Sequence, residues 1–223
     1  MVRGARTRMN TEDLRHAQLL HQWMSPGYPT GAFAWSHGLD WLIDDGQITD
    51  ASGLEGWLSG ILCNGSGWTD AVLLSNVFQA PERFAEIAEL AAAISPSRER
   101  FSETLDQGTA FARVTAAVRG SEDVACAYPV AVGVAAAREG VPLNLTLTLY
   151  LQAFVANLVS AAVRAIPLGQ TDGQRVISAL NPVCIEVAEA AANAGLEDVG
   201  GAAIRADMAS LHHETQYSRM FRS

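Results

Sequence analysis

The sequence predicts an all-α protein, a single-domain bundle of roughly nine or ten helices around one central apolar helix. Hydrophobic residues make up 49% of the 223 residues, whereas aromatic residues make up only 7%. Alanine, the best helix former, is abundant, and β-branched residues are modest in number. Apolar residues recur at helical spacing along most of the chain, and no alternating run between hairpin turns interrupts them. These observations together favour packed helices over a sheet.

The segment 143–166 is predicted to be a helix that is hydrophobic on nearly all sides and therefore central. Alternating leucines at its start would also suit a strand, but the run is too long for a strand of about five or six residues. About 20 apolar residues can cross a bilayer, yet this segment contains Asn144, Gln152, Asn157 and Arg164. A buried core helix is therefore favoured over a membrane span. One helix face carries Leu147, Leu151, Phe154, Leu158 and Ala162.

The first half of the chain is predicted to begin with a helix over 14–24, which stops before Pro26 because proline disfavours helix in the residue before it. Thr30 is a candidate cap for a helix over 31–44, and Asp50 for a third helix. Further helices are expected at 69–79 with Thr69 as cap, at 82–94, and from Pro96 to a polar break at 120–123.

The second half is predicted to contain helices at 127–138, at the central segment, at 170–193 and at 202–210. Pro182 is expected to kink or split the helix that contains it. Residues 1–12 are expected to form a disordered arm, and residues 13–223 a single helical domain that includes the C-terminal tail. The arm is charged but is followed by no apolar segment, so it does not read as a secretory signal.

Composition excludes several classes of function. The net charge of −9 disfavours binding to nucleic acid or to an anionic membrane. All fifteen basic residues are arginine, so a phosphate-binding or Schiff-base lysine cannot be present. Cys63, Cys126 and Cys184 lie far apart and read as small buried residues of a reducing, cytoplasmic compartment rather than a metal or disulfide framework.

Residue by residue, the sequence assembles no active site, metal site or cofactor site. Ser36 and His37 have no acidic partner at a diagnostic spacing. His212 and His213 are adjacent, and adjacent helical residues point about 100° apart, whereas helical metal ligands favour positions four residues apart. The pair with Glu214 therefore reads as the exposed polar end of a helix.

The stretch Gln170–Arg175 is predicted to be mainly structural. Its side chains suit loop and cap hydrogen bonds, with Thr171 or Asp172 as the cap of a helix that begins near Gly173. Replacing Asp172 by alanine is therefore expected to lower stability before it affects any partner.

The tail combines apolar, aromatic and arginine side chains, the residue types that are enriched at interface cores. This composition favours docking onto a partner or onto the body of the fold over simple fraying. Because the tail is terminal and polar in its first half, we expect it to be mobile in the isolated chain and to become ordered on binding. The residues concerned are Tyr217, Arg219, Met220, Phe221 and Arg222.

Three stretches, in this order and at these separations, resemble the family of the urease accessory protein UreF. The stretch 25–40 is similar to its N-terminal signature S-P-x-x-P-x-G-x-F-x-x-S-x-G-L-E, with Pro26, Pro29, Gly31 and Gly38 in place. Asp40 stands where that signature has Glu. The stretch 166–175 resembles the family's central motif and carries Gln170, Asp172, Gly173 and Arg175, and the stretch 213–223 resembles its C-terminal signature.

The resemblance implies a non-enzymatic maturation factor without a cofactor. Proteins of this family bind UreD, also called UreH, and the GTPase UreG, and the complex docks on apo-urease and helps to insert nickel. UreF-like proteins are all-α and tend to form homodimers. The lysine-free composition fits this role, because the nucleotide chemistry belongs to UreG.

The resemblance also indicates which residues bind partners. They are Ser36, His37, Asp40, Arg164, Glu214, Gln216, Tyr217, Arg219, Phe221 and Arg222. Two alternatives stay open at this point. One is direct nickel carriage through a cysteine or the histidines at 37, 212 and 213. The other is a small hydrolase that uses the serine, histidine and aspartate at 36, 37 and 40.

Overall fold

The computed structural model describes residues 10–120 and 124–223, and all regular secondary structure in these two ranges is helical. The all-α prediction is therefore confirmed. The ten α-helices of the described ranges are α1 (Thr11–Met24), α2 (Leu39–Asp44), α3 (Ala51–Asn64), α4 (Ser66–Gln79), α5 (Phe84–Ala93), α6 (Arg98–Arg119), α7 (Tyr128–Arg138), α8 (Leu143–Ala165), α9 (Gln170–Ala191) and α10 (Ile204–His213). Short 3₁₀ turns lie at Ala32–Ala34, Pro81–Arg83 and Leu196–Asp198.

The central position of α8 is confirmed, but the helix is not buried on all sides. It packs against α1, α2, α3, α4, α7 and α9. By length and composition α8 could cross a bilayer, and 50% of its most apolar window is buried. The less buried side faces a cavity, which is lined by Leu149, Gln152, Ala153, Phe154 and Asn157 together with the loop that follows α1.

Several helix starts follow from capping residues. Asn10 forms a capping box with Asp13 at the start of α1, so the end of the predicted arm belongs to this helix. Residues 1–9 lie outside the described ranges, as do 121–123 of the predicted polar break. Asp50 accepts from the backbone of Gly53 and caps α3 as predicted, and Ser97 caps α6 in the same way.

Two predicted caps are wrong. Thr30 does not start a helix over 31–44, because Gly31, His37 and Gly38 have φ values of 76°, 57° and 77°, which break helical geometry. The chain forms a 3₁₀ turn and a loop there, and α2 begins only at Leu39. Thr69 is not a cap either, since α4 already begins at Ser66 after a single-residue turn.

Pro182 lies inside α9, which continues over Gln170–Ala191 without being split. Proline removes one backbone hydrogen bond and leaves the carbonyl four residues earlier without its donor. Here that carbonyl belongs to Ser178, and both residues are exposed, so water can satisfy the oxygen. The exposed position explains why the expected break does not occur.

The start of α9 corrects the prediction for Gln170–Arg175. Gly169 is the N-cap residue and no side chain caps the helix. Asp172 instead accepts from Arg175 at 2.5 Å in an exposed ion pair, and such pairs contribute only about 0–1 kcal/mol. The structural residue of this stretch is Gly173, where an added Cβ would lie 3.0 Å from a side-chain carbon of Val163.

Small residues set the separations between several helices. At Gly108 in α6, an added Cβ would overlap the backbone of Cys126, Ala127 and Tyr128 at the start of α7. These atoms belong to the main chain and cannot rotate away, so the close packing of α6 on α7 depends on this glycine. Gly60 in α3, by contrast, faces open space.

We expect Gly108→Ala to lower the free energy of unfolding by about 1–3 kcal/mol, because the new methyl group overpacks the contact between the two helices. Gly60→Ala is the matched control and should raise stability by about 0.4–1 kcal/mol, since it only reduces the freedom of the unfolded chain. Urea unfolding of both variants measures the difference. Equal effects of the two substitutions would contradict the close approach of α6 and α7.

Candidate partner-binding site

The segment 214–223, here called the tail, folds back onto the loop before α2. The backbone N–H of Arg222 donates to the carbonyl of Ala34 at 2.8 Å, and that of Ser36 donates to Ser223 O at 2.8 Å. Phe221 is 7% exposed and Ser223 is 0% exposed. The tail therefore packs on the folded body, whereas the sequence predicts that it is mobile in the isolated chain.

The side-chain carboxylate of Asp40, at the start of α2, accepts hydrogen bonds from two backbone N–H groups of the tail. Its Oδ2 accepts from the backbone N–H of Met220 at 2.7 Å and of Phe221 at 3.2 Å. Burial alone would raise the pKa of this carboxyl group, but the bonds from His213, Met220 and Phe221 outweigh it and the pKa is lowered. Asp40 is therefore held as a carboxylate.

His213 at the end of α10 lies between two carboxylates and is fully buried. Its Nδ1 is 2.7 Å from Glu99 Oε2, and its Nε2 is 3.4 Å from Asp40 Oδ2. Arg219 of the tail donates to the other Glu99 oxygen at 2.8 Å. We call Asp40, Glu99, His213 and Arg219 the tail clamp.

A second buried cluster lies beneath Ser223. The Nε2 of His37 is 2.8 Å from Glu103 Oε1, and Arg100 forms an ion pair with the same carboxylate. Ser223 Oγ donates to Glu103 Oε2 at 3.1 Å. Burial would raise the pKa of Glu103, but Arg100 and His37 lower it to about 2. Burial and the neighbouring Arg100 lower the pKa of His37.

Two arginines form cation–π contacts that join the tail to the body. The guanidinium of Arg164 lies 4.6 Å from the ring centre of Phe221, and its Nη2 donates to the carbonyl of Phe33 at 2.9 Å. The guanidinium of Arg222 lies 4.3 Å from the ring centre of Trp35. Such cation–π contacts contribute about 0.5–1 kcal/mol at exposed sites, so they fasten a tail that the buried carboxylates already position.

The outward side of this region exposes large apolar side chains. Tyr217 and Met220 of the tail are 106% and 59% exposed, and Phe33 of the neighbouring loop is 68% exposed. On α10, Ile204, Met208 and Leu211 are also exposed and are spaced four and three residues apart, on one helix face. Isolated exposed apolar residues are ordinary, but aromatic and Met side chains on an ordered segment are typical of interface anchors.

The structure brings most of the predicted partner-binding residues into this region. Ser36, His37, Asp40, Arg164, Glu214, Arg219, Phe221 and Arg222 hold the tail and the elements beneath it. The Oε1 of Gln216 is buried and has no hydrogen-bond partner among the residues that the structure describes. Gln170, Asp172 and Arg175, which the sequence assigns to a structural motif, lie in the first two turns of α9.

Sequence reasoning missed the residues of α6 that receive the tail, chiefly Glu99 and Glu103. The available signal was the cluster of charges in the first half of that helix, combined with the buried helix face that these two residues share at a spacing of four. The sequence also predicts that His213 is exposed, and this prediction is wrong, because the histidine is fully buried.

The arrangement of Ser36, His37 and Asp40 does not form a hydrolytic triad. Ser36 Oγ donates to the carbonyl of Ser223, the His37 ring contacts Glu103, and Asp40 accepts from the tail. Each side chain is thus engaged in holding the tail or in the second cluster. None of the bonds found among the described residues activates the serine as a nucleophile.

The histidines considered for direct nickel carriage are also dispersed. His37 lies in the second cluster, His213 lies in the tail clamp, and His212 stacks on Trp41 with ring centres 4.6 Å apart. Over the ranges 10–120 and 124–223, no group of three or more His, Cys, Asp or Glu residues is arranged to hold a metal ion. Cys126 and Cys184 are buried as predicted, but Cys63 is exposed, so the prediction is wrong for that residue.

A cavity of about 670 Å³ lies between the loop after α1 and α8. Its walls are mostly apolar, and its floor includes Asp70, which accepts from Tyr150 at 2.8 Å. Burial raises the pKa of Asp70 to about 6. The cavity also reaches His37, Arg100 and Glu103, so the second cluster separates it from the docked tail.

Known proteins resemble this chain over most of its length. A family model described as UreF matches residues 48–181. The urease accessory protein UreF of Cereibacter sphaeroides is 50% identical over 204 residues, which cover 92% of this chain and 97% of that protein. The protein of the same name from Roseobacter denitrificans is 49% identical over 205 residues, 92% of each chain. That from Bradyrhizobium sp. is 47% identical, with 95% and 94% covered.

We expect Phe221→Ala to release the tail, because it removes the buried ring between Arg164 and the body, a change that costs about 3 kcal/mol or more in cores. Trypsin cleavage after Arg219 should then accelerate at least about tenfold, since cleavage follows the population of the open form. Tyr217→Ala is the control: its ring is fully exposed, and cleavage should stay at the wild-type rate. Equal cleavage of all three chains would contradict a docked tail.

Proposed function

This chain belongs to the UreF family of urease accessory proteins, and we propose that it serves urease maturation as a scaffold that bridges UreD, also called UreH, and the GTPase UreG. In this proposal the complex docks on apo-urease and supports nickel insertion. The chain itself performs no catalysis and affects the GTPase through contact. It acts in the cytoplasm as a homodimer.

One observation carries the proposal: the tail presents exposed apolar side chains from a backbone that is already held in place. Met220 illustrates this arrangement, because its N–H is bonded to Asp40 while its side chain is 59% exposed. A segment that is ordered before binding loses less conformational entropy when the partner arrives. The tail is thus suited to be a rigid contact surface.

The chemistry of this surface indicates what the partner must provide. Tyr217 and Met220 require apolar pockets, in which aromatic and Met side chains act as anchors. The side chains of Arg219 and Arg222 remain 42% and 62% exposed in their ion pairs with the body, so they keep donors for carboxylates or carbonyls of the partner. We assign this surface to UreD and propose that the resulting complex forms part of the surface that UreG recognises.

The position of the tail on α6 supports a composite surface. Glu214 Oε1 accepts from the backbone N–H of Arg98 in the first turn of this helix, at 2.8 Å, and Arg222 reaches Asp106 two turns later, at 3.4 Å. A partner that covers the tail therefore also meets the first half of α6. The far end of α6 carries an exposed Val118, about 18 Å along the axis from Asp106.

We expect the double substitution Tyr217→Ala, Met220→Ala to weaken binding to a UreD-type protein by about 2 kcal/mol or more, the magnitude of interface hot spots, which is roughly 30-fold in affinity. The melting temperature should not change, because both side chains are exposed. Calorimetric titration measures the affinity, and activation of apo-urease in the presence of a UreG-type protein is the functional readout.

Val118→Ala provides the matched control, since it removes an exposed apolar side chain far from the tail. It should leave affinity and urease activation at wild-type levels. Wild-type affinity of the double variant would place the interface elsewhere and would overturn the assignment of the tail.

A further inference from the structure

We propose that protonation of His213 controls the tail clamp: the protonated ring keeps the tail docked, and loss of that proton releases the tail from the body. The clamp operates within the isolated chain. It therefore goes beyond the proposed scaffold function, and it can be tested without any partner.

The surroundings of the His213 ring favour its charged form. Both nitrogens of His213 face carboxylate oxygens, Nδ1 at 2.7 Å from Glu99 and Nε2 at 3.4 Å from Asp40. An ionised carboxylate only accepts hydrogen bonds, and a neutral imidazole donates through only one nitrogen. Both contacts are hydrogen bonds only when the ring carries two protons, and a neutral ring would turn a lone pair toward one carboxylate.

The charge balance of the tail clamp depends on the same proton. Asp40 from α2 and Glu99 from α6 supply two negative charges, and Arg219 from the tail supplies one positive charge. With His213 protonated the cluster is neutral, and without that proton it carries an uncompensated carboxylate. The side chains of Asp40 and Glu99 are each 10% exposed, and a buried charge without a partner is strongly destabilising.

The other charged and titratable groups around the end of α10 have partners of their own. Glu214 binds the start of α6 through Arg98, and His212 stacks on Trp41. The carboxylates of Asp40 and Glu99, with Arg219 behind the latter, are thus the charges that face His213 among the described residues.

The same atoms link the proton to the tail. Asp40 Oδ2 receives His213 Nε2 and the backbone N–H groups of Met220 and Phe221. Glu99 receives His213 on one oxygen and Arg219 on the other. When His213 is neutral, the two carboxylates lose the cation between them, and the tail that depends on both is weakened.

The pH dependence has a definite sign. Burial would lower the pKa of His213, but the hydrogen bonds and charges of Asp40 and Glu99 outweigh it, and the pKa is raised above 6.5. A raised histidine pKa stabilises the docked state fully below about pH 6.5 and ceases to do so as the pH rises through the docked-state pKa. Between these two values the docking equilibrium constant falls about tenfold per pH unit. Asp40, whose pKa is lowered, limits docking only under acid conditions.

Nuclear magnetic resonance of the full-length chain tests the clamp through two readouts. The ¹⁵N shifts of the His213 ring report its protonation, and amide exchange of Phe221, corrected for the intrinsic pH dependence, reports the docking equilibrium. We expect two protonated ring nitrogens at pH 6. As the pH rises to 9, the ring should lose a proton with a midpoint above 6.5, and Phe221 protection should fall over the same range.

Two variants complete the experiment. His213→Gln preserves one amide donor but cannot titrate, so the fall in Phe221 protection above pH 6.5 should disappear. His21→Gln changes an exposed histidine of α1 and should keep the wild-type transition. A neutral His213 ring at pH 6, Phe221 protection that is constant through the ring's titration, or an unchanged transition in His213→Gln would overturn the proposal. The first two results come from the wild-type chain and do not depend on the variant's folding.

Discussion

Three buried carboxylates determine where the C-terminal tail packs on the body of the fold. Asp40, Glu99 and Glu103 lie where water cannot solvate them, since their exposed fractions are 7%, 8% and 1%. Buried charges require cations and hydrogen-bond donors, and a large share of these comes from residues 213–223. The tail thus supplies hydrogen-bond donors and a positive charge to carboxylates that would otherwise be exposed or without a partner. This makes its position a property of the folded chain, on which a partner surface can be built.

Backbone conformation makes that arrangement sterically feasible. Gly38 has φ 77°, and a Cβ at this position would lie 2.6 Å from the backbone nitrogen of Ser210 in α10. The glycine therefore lets α10 approach the start of α2 closely, which brings His213 between Asp40 and Glu99. The loop before it exposes the carbonyls of Ala32 and Phe33 to Asn157 and Arg164 of α8. The loop before α2 is thus held by α8. The fold positions the tail both through this loop and through the contact of α10 with Gly38.

Local rules predicted most of the fold, and long-range contacts explain the failures. Helical periodicity located α1, α3 and α6 to α9 within a few residues, because one buried face dictates their pattern. The helix expected over 31–44 failed because the backbone is left-handed at Gly31, His37 and Gly38. At Gly38 this conformation accompanies the close approach of α10, which lies far away in sequence. The tail residues were recognised by composition, but the residues that receive them were not, since these include carboxylates more than 110 residues away, such as Glu99. The partner identities rest on family resemblance, and no spacing of residues encodes them.

Backbone order parameters of the isolated chain test most directly whether the tail belongs to the folded body. The amides of Met220, Phe221 and Arg222 are each bonded to Asp40 or Ala34. At pH 6 and without any partner, we expect them to show order parameters of about 0.85, as rigid backbone does. Values below about 0.6 for all three amides would mean that the tail is flexible before binding, and the docked surface would not exist in the free protein.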